Sequence, residues 1–274
     1  MALRRSVTVM TTVEVVEFTD PWCSWAWGTE PKVRLLRWRF GERLSWRTVM
    51  GDLVPDLRLE RSDFDPVRAA PKRAGYWREV HEHTGMPWPE QLRWVPVRSE
   101  VAGRAVKAAE QQGAEAGRRM LRALRESCFV ECEPADDRDR VLALAARVHG
   151  VDAERLAADL HSDAVDKAWR EDRDETRRPN EYVRTLAETH AGKGNAKPEG
   201  DGWRYVFPTL LFRGAAGEHT VPGWQPWDRY VEAMEAATPG STSDPRPDPT
   251  PDEAQEAFGR LTDRELAFLC GGAA

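Results

Sequence analysis

One stretch constrains this chain more than any other: Asp20-Pro21-Trp22-Cys23-Ser24-Trp25-Ala26-Trp27-Gly28. An apolar run precedes it over 13–18. There Val13, Val15, Val16 and Phe18 are β-branched or aromatic with no breaker among them, the pattern of a short buried strand. A helical pattern follows over 30–40, with Val33, Leu35, Leu36 and Phe40 supplying an apolar face. Strand, cysteine, helix puts Cys23 at or beside a helix N-terminus. The unpaired backbone N–H groups there point at the sulfur, so the spacing predicts a thiolate rather than a thiol. A thiolate is the form that attacks disulfides and electrophilic carbons. The plainer role is a small buried hydrophobe, which free cysteine often fills.

Further segments complete a pattern. Gly41 is placed to cap the helix, and 44–50 (Leu-Ser-Trp-Arg-Thr-Val-Met) is rich in strand formers, so 13–50 reads as a βαβ unit with parallel strands. Much later comes Val206-Phe207-Pro208-Thr209-Leu210-Leu211-Phe212, a strong strand opened by proline, a position where proline is tolerated. Residues 217–221 supply a hairpin partner. Val221-Pro222-Gly223-Trp224-Gln225-Pro226-Trp227 then turns into a last helix over 228–237.

The motifs at 20–28, 50–54 (Met-Gly-Asp-Leu-Val), 206–212 and 221–227 together resemble the DsbA family of thioredoxin-fold proteins, nearest to its cytoplasmic FrnE-like branch and the related protease-adaptor branch. The resemblance covers about 13–237. It implies an α/β, thioredoxin-like fold with a DsbA-like helical insertion: a thioredoxin core over about 13–54 and 203–237, and an insertion over about 65–190. It also implies that Phe207 precedes a cis-proline, Pro208, facing Cys23, with Trp22, Ser24, Trp25, Trp27, Phe207 and Pro208 as substrate-binding residues. The chain departs from the family at one point. Members usually carry a second cysteine where Ala26 stands here, so the motif holds no resolving sulfur.

Between the two halves, 55–98 reads as proline-rich loops with one helix over 65–84, interrupted in its first half by Pro71. Met86, Trp88 and Trp94 are candidates to cover a pocket. Residues 99–149 carry helical periodicity, and Asp152 caps a further helix through 160. Cys128 and Cys132 stand four apart, on one face if helical, and are candidate distant resolving thiols for Cys23; ordinary packing is the plainer role. Arg118, Arg119, Arg122 and Arg125 read as a solvated helix face. Residues 191–202 read as a flexible loop.

Beyond 237, 238–251 is a proline-rich, semi-rigid linker. The stretch 252–270 forms short amphipathic helices that dock on the body or on a second subunit, giving a candidate homodimer contact; Cys270 reads as exposed. The N-terminus has Arg4 and Arg5 but no apolar run behind them, so no secretory signal is expected, and Met10 is an alternative start. No run is long enough for a membrane helix. A net charge of -6 gives no reason to expect nucleic acid, and four cysteines in 274 residues do not make a disulfide scaffold. A cytoplasmic location is therefore expected.

Three functions fit these residues. The first is a thiol–disulfide oxidoreductase or isomerase using Cys23 alone, its adduct released by an outside thiol or by Cys128 or Cys132. The second is a cis–trans isomerase adding Cys23 to an unsaturated small molecule in an aromatic site. The third is a binding module or adaptor that does not need the thiol. Asp20 is the candidate acid or base, His81 and His83 being candidates by residue type only. No metal or cofactor is expected, with glutathione or another small thiol as the candidate co-substrate.

Overall fold

The computed structural model describes residues 12–186 and 196–271. The first half runs β1 (Val13–Thr19), α1 (Ser24–Phe40), β2 (Leu44–Met50), then a helical block. That block comprises α2 (Leu57–Glu60), α3 (Pro66–Thr84), α4 (Glu100–Glu110), α5 (Ala114–Phe129), α6 (Arg138–Ala145), α7 (Ala153–Asp159), α8 (Asp163–Thr176) and α9 (Glu181–Thr185). A small hairpin, β3 (Lys197–Glu199) and β4 (Gly202–Arg204), leads to β5 (Thr209–Gly214), β6 (Gly217–Pro222) and α10 (Trp227–Ala237). The chain closes with α11 (Pro251–Phe258) and α12 (Asp263–Cys270).

The main sheet has the order β2-β1-β5-β6. β2 runs parallel to β1, and β5 and β6 are antiparallel additions, with Val13 opposite Leu44 and Phe18 opposite Thr209. β1 is central and buried on both faces, which is why its run is apolar without alternation. Alternate side chains then feed separate cores. Val13 and Val15 meet Leu35, Leu36, Phe212, Tyr230 and Met234, whereas Val16 and Phe18 meet Val49, Phe207 and Leu211.

α1 starts six residues before its periodic pattern. Its first turns are buried almost all round, so no single apolar stripe marks them. Gly41 is not a left-handed cap: at φ -51 it enters a short 3-10 turn. α3 is capped by Asp65, which accepts from the Val67 and Arg68 amides. The helix continues through Pro71, an exposed position where water can take the freed carbonyl. Residues 197–199 and 202–204 pair as a hairpin where a loop was expected; 191–195 lie outside the described residues.

The insertion has its own core, in which Ala102, Ala105, Leu124, Val141, Leu156 and Trp169 pack together. Two expectations fail here. α5 ends at Phe129, and Cys132 lies beyond it at φ 62, so Cys128 and Cys132 do not share a helical face. The arginines of α5 are not a uniformly solvated face either. Arg125 is 2% exposed, and it pairs with Glu30 and donates to Thr19. Arg122 makes a two-pronged pair with Glu265 at 2.7 and 2.9 Å. Those carboxylates come from α1 and α12, far away in sequence, so local charge spacing could not reveal them. Burial pushes the Glu30 carboxyl up, but Arg125, Arg34 and Arg122 together hold it below its usual range.

The proline-rich 238–251 stretch is strapped along α1 rather than free. Trp38 donates to the Pro247 carbonyl at 2.6 Å, Arg39 binds Asp248, and the Arg246 amide donates to the Arg39 carbonyl. Both terminal helices open with capping boxes, Thr250 with Glu253 and Thr262 with Glu265. α12 packs on α1 of its own chain, and Glu265, 0% exposed, also pairs with Arg34 at 2.9 Å.

Removing Glu265 leaves Arg34 and Arg122 buried with too little negative charge. Glu265→Ala is expected to cost about 3–5 kcal/mol, as for other broken buried pairs, while Asp263→Ala, at an exposed position of the same first turn, costs under about 1. Urea unfolding of the two variants checks this; equal, small losses would mean the network does not anchor α12.

Candidate functional site

The site forms where β1 ends. Asp20 is fully buried and ties three segments together. Its Oδ1 accepts from the Trp22 amide at 2.9 Å and from Ser99 Oγ at 3.0 Å, and its Oδ2 accepts from the Leu53 amide at 2.8 Å. The Cys23 amide donates to the Asp20 carbonyl, closing a turn that delivers Cys23 to the N-cap of α1. Burial raises the Asp20 carboxyl to about 6 against the pull of these three donors. With its oxygens already engaged, Asp20 shapes the loop rather than facing a ligand.

Cys23 Sγ accepts from the Ala26 amide at 3.4 Å and lies 3.3 Å from the Phe207 carbonyl, to which its S–H donates. The Phe207–Pro208 peptide is cis. The helix N-terminus does stabilise the sulfur, but it does not decide the ionisation. Cys23 is 5% exposed, and burial raises its thiol to about 11; the Ala26 amide and Arg125 only partly offset burial and the nearby Asp20. The resting group is a thiol, not the expected thiolate, because desolvation outweighs the helix-terminal field.

The expected aromatic pocket is dispersed. Trp22 is buried, with Nε1 donating to the Arg98 carbonyl at 3.0 Å, and Trp27 is stacked on Phe129 with Nε1 donating to the Pro87 carbonyl at 2.8 Å. The Phe207 ring fills the space above Gly51, where a Cβ would strike it, in the same buried cluster as Cys23, and its carbonyl faces the sulfur. Ser24 and Pro208 are buried. Met86 is buried in the insertion core, and Trp94 is tied to Pro134 and Asp136. His81 Nδ1 is bonded to the Met86 carbonyl at 2.7 Å.

Trp25 alone of the motif tryptophans is half-exposed. Its ring edge meets His83 at 5.4 Å, and His83 meets Trp224 at 4.5 Å. Lys32 Nζ lies 3.2 Å over Trp224 and donates to the Gln225 carbonyl. Trp25, His83 and Trp224 thus form one run of aromatic contacts reaching the surface near the start of α1, with Lys32, itself buried, packed against the Trp224 ring. Sequence reasoning noted His83 by type and Trp224 only as part of a turn. These residues come from separate segments, so no spacing joined them.

Neither candidate resolving thiol is placed at Cys23. Cys128 is fully buried in the insertion core, a different cluster from that of Cys23, and burial pushes its thiol far up. Cys132 is half-buried, and all four cysteines are free. Among the described residues no cluster of His, Cys, Asp and Glu is arranged to hold a metal, and no helix is long and apolar enough to cross a membrane.

A mixed sheet in this order, a cysteine capping the helix after the first strand and a cis-proline opening a strand against it define a thioredoxin-fold protein. The helical block between the sheet's halves gives it the DsbA-like form. The profile described as thioredoxin matches residues 17–178, and the chain belongs to that family. Among curated proteins it is 32% identical over 168 residues to the ClpXP adapter protein SpxH of Halalkalibacterium halodurans, covering 60% of this chain and 54% of that protein. It is 28% identical to the ClpXP adapter protein SpxH of Bacillus subtilis, covering 94% of this chain and 78% of that protein. The chain thus spans about half the length of the first of these relatives and about three-quarters of the second. Among solved structures, a putative protein disulfide isomerase from Nitrosomonas europaea superposes with a TM-score of 0.59 at 17% identity, covering 82% of this chain and 96% of that one. The cytosolic disulfide reductase DsbM from Pseudomonas aeruginosa superposes with a TM-score of 0.53 at 18% identity, covering 81% and 93%. These structures share the fold of thiol–disulfide oxidoreductases.

Two outcomes follow for the site. Alkylation of native Cys23 by iodoacetamide should be slow at pH 7 and rise with an apparent midpoint near pH 11, behind Cys132 and Cys270; mass-mapped rates giving a midpoint below 8 would contradict the buried-thiol geometry. Asp20 keeps its proton to about pH 6 when folded but only to 3.8 when unfolded. Its contribution therefore favours folding below pH 3.8 and is lost as pH rises through 6. Relative to Asp20→Asn, the wild-type chain should lose about 2–3 kcal/mol between pH 4 and pH 7 in urea unfolding. A difference that does not change with pH would show that Asp20 does not titrate there.

Proposed function

We propose that the chain is an adaptor: a thioredoxin-fold module that binds a protein partner for a ClpXP-type protease and does not need its thiol. The observation that carries this reading is the state of Cys23. It is a buried thiol bonded to the Phe207 carbonyl, with Ala26 where a second sulfur would have to stand. Disulfide exchange within a motif needs two sulfurs in reach of each other, the attacking one ionised. Here there is one, and it is protonated. The relatives named ClpXP adapters support the same reading and favour a protein partner over a small-molecule substrate. A cytoplasmic location suits it. The surface formed by Trp25, His83 and Trp224 offers aromatic anchors of the kind enriched at protein interfaces.

One observation favours a second reading, a monothiol oxidoreductase. Cys23 still caps α1 and still faces the carbonyl that precedes a cis-proline. In that case the thiolate attacks a disulfide, forms a mixed disulfide and expels one thiolate, and glutathione supplied from outside releases the adduct. The isomerase reading has no such support, since Trp22, Trp27 and Phe207 do not line a common pocket.

The test compares protein half-lives in cells with the gene deleted, complemented by wild type, and complemented by Cys23→Ala, together with sedimentation of the purified chain against ClpXP. An adaptor predicts that a defined set of proteins is stabilised by the deletion, that both complements restore turnover fully, and that ClpXP is bound. Failure of Cys23→Ala to restore turnover, together with glutathione-dependent disulfide reduction by wild type only, would replace the adaptor by the monothiol enzyme.

A further inference from the structure

Cys23 keeps the position of an active-site cysteine yet is 5% exposed, and the residues that cover it can be named. Among the described residues, the apolar cluster around it is buried except at two members, Trp25 and Leu53, which are half-exposed and pack against it from outside. Trp25 is fixed on α1, two residues beyond Cys23. Leu53 lies in no helix or strand; it belongs to the loop that follows β2.

That loop is held by polar clasps. The Leu53 amide donates to Asp20 Oδ2 at 2.8 Å. The guanidinium of Arg177, just after α8, donates to the Gly51 carbonyl at 2.8 Å and to the Asp52 carbonyl at 3.5 Å. Arg173 pairs with the Asp52 carboxylate at 3.4 Å. Asp52 itself has φ 57, a left-handed conformation that a residue with a Cβ holds at a cost and keeps only where its surroundings fix it. Arg177 also pairs with Glu199 on β3, and Arg204 on β4 shares that carboxylate at 2.7 Å. The hairpin leans on the same cluster. Ala196, next to β3, is buried in it, and the Arg204 guanidinium lies 5.0 Å from the centre of the Phe207 ring, which also fills the space above Gly51. One side chain, Arg177, therefore joins the two segments that pack on Phe207, whose carbonyl holds the Cys23 S–H. Loops fastened by half-exposed polar bonds open at lower cost than apolar cores do.

We propose that the 51–54 loop is a gate over Cys23 and that Arg177 is its bolt. With the bolt in place the thiol stays covered. Release of Arg177 lets Asp52 leave its left-handed conformation and Leu53 move off the cluster. Cys23 then meets water, and the field of the α1 N-terminus acts on it without the penalty of burial. The gate concerns access to Cys23 only, so it stands under either reading of the function.

The test is mass-mapped alkylation of the full chain by iodoacetamide at pH 8. Cys128 is the internal reporter: fully buried in the insertion core, it reacts only when the chain opens generally. Arg177→Gln and Leu53→Ala should each speed alkylation of Cys23 about tenfold, the change typical of losing one charged hydrogen-bonding partner or one apolar cover, with Cys128 still protected. Arg170→Gln, exposed on α8 and paired with Asp166, should change neither rate. An unchanged Cys23 rate in either variant would overturn the gate. So would Cys23 and Cys128 accelerating together, because the opening would then belong to the whole fold rather than to 51–54.

Discussion

A carboxylate buried without water must find its cations inside the protein, and the packing of this chain depends on how Glu30 and Glu265 do so. Glu30 is on the central helix and Glu265 on the last one; the arginines that answer them are on α1 and α5. One network therefore joins the thioredoxin core, the helical insertion and the C-terminal tail. It explains why the 238–270 stretch, too short to fold by itself, is ordered against the body.

At Cys23 two physical effects oppose each other. The end of α1 offers the Ala26 amide to the sulfur, which favours the anion, while nearly complete burial and the neighbouring Asp20 disfavour it. Burial wins because a single weak N–H contact cannot replace the hydration a thiolate loses. The cysteine is kept in the geometry of an active site but without the ionisation and the second sulfur that exchange requires. Asp20 holds that geometry by joining the loop after β1 to Leu53, just after β2, and to Ser99, at the start of α4 within the insertion.

Much of the fold was legible because its evidence is local. The uniform apolar run at 13–18 marks a central strand, and Pro208 at a strand start marks the strand that pairs with it. Capping residues such as Asp65 and Asp152 mark helix starts. Where local patterns were weak the reading slipped. The first turns of α1 are buried on all sides and show no stripe. Residues 197–202 looked like part of a glycine-rich loop although they belong to a short hairpin over 197–204. Of the site, the position of Cys23 and its neighbourhood to Phe207 were legible from motif order. The directions taken by Trp22, Trp27 and the Phe207 ring were not, because a side chain's direction depends on the space its neighbours leave: Arg98, Pro87 and Gly51 are the groups that receive them.

By itself the sequence determined the order of elements, the presence of a lone cysteine at a helix start and the loss of its companion at Ala26, since each is a matter of identity and spacing along the chain. Only the tertiary structure decided that Cys23 is a thiol, that Cys128 lies in another core, and that Arg122 and Arg125 are buried partners rather than a solvated face. These properties depend on dehydration and on charges brought together from distant parts of the chain, 143 residues apart for Arg122 and Glu265 and 209 for Arg39 and Asp248. Neither dehydration nor such long-range pairing leaves a periodic mark on the chain.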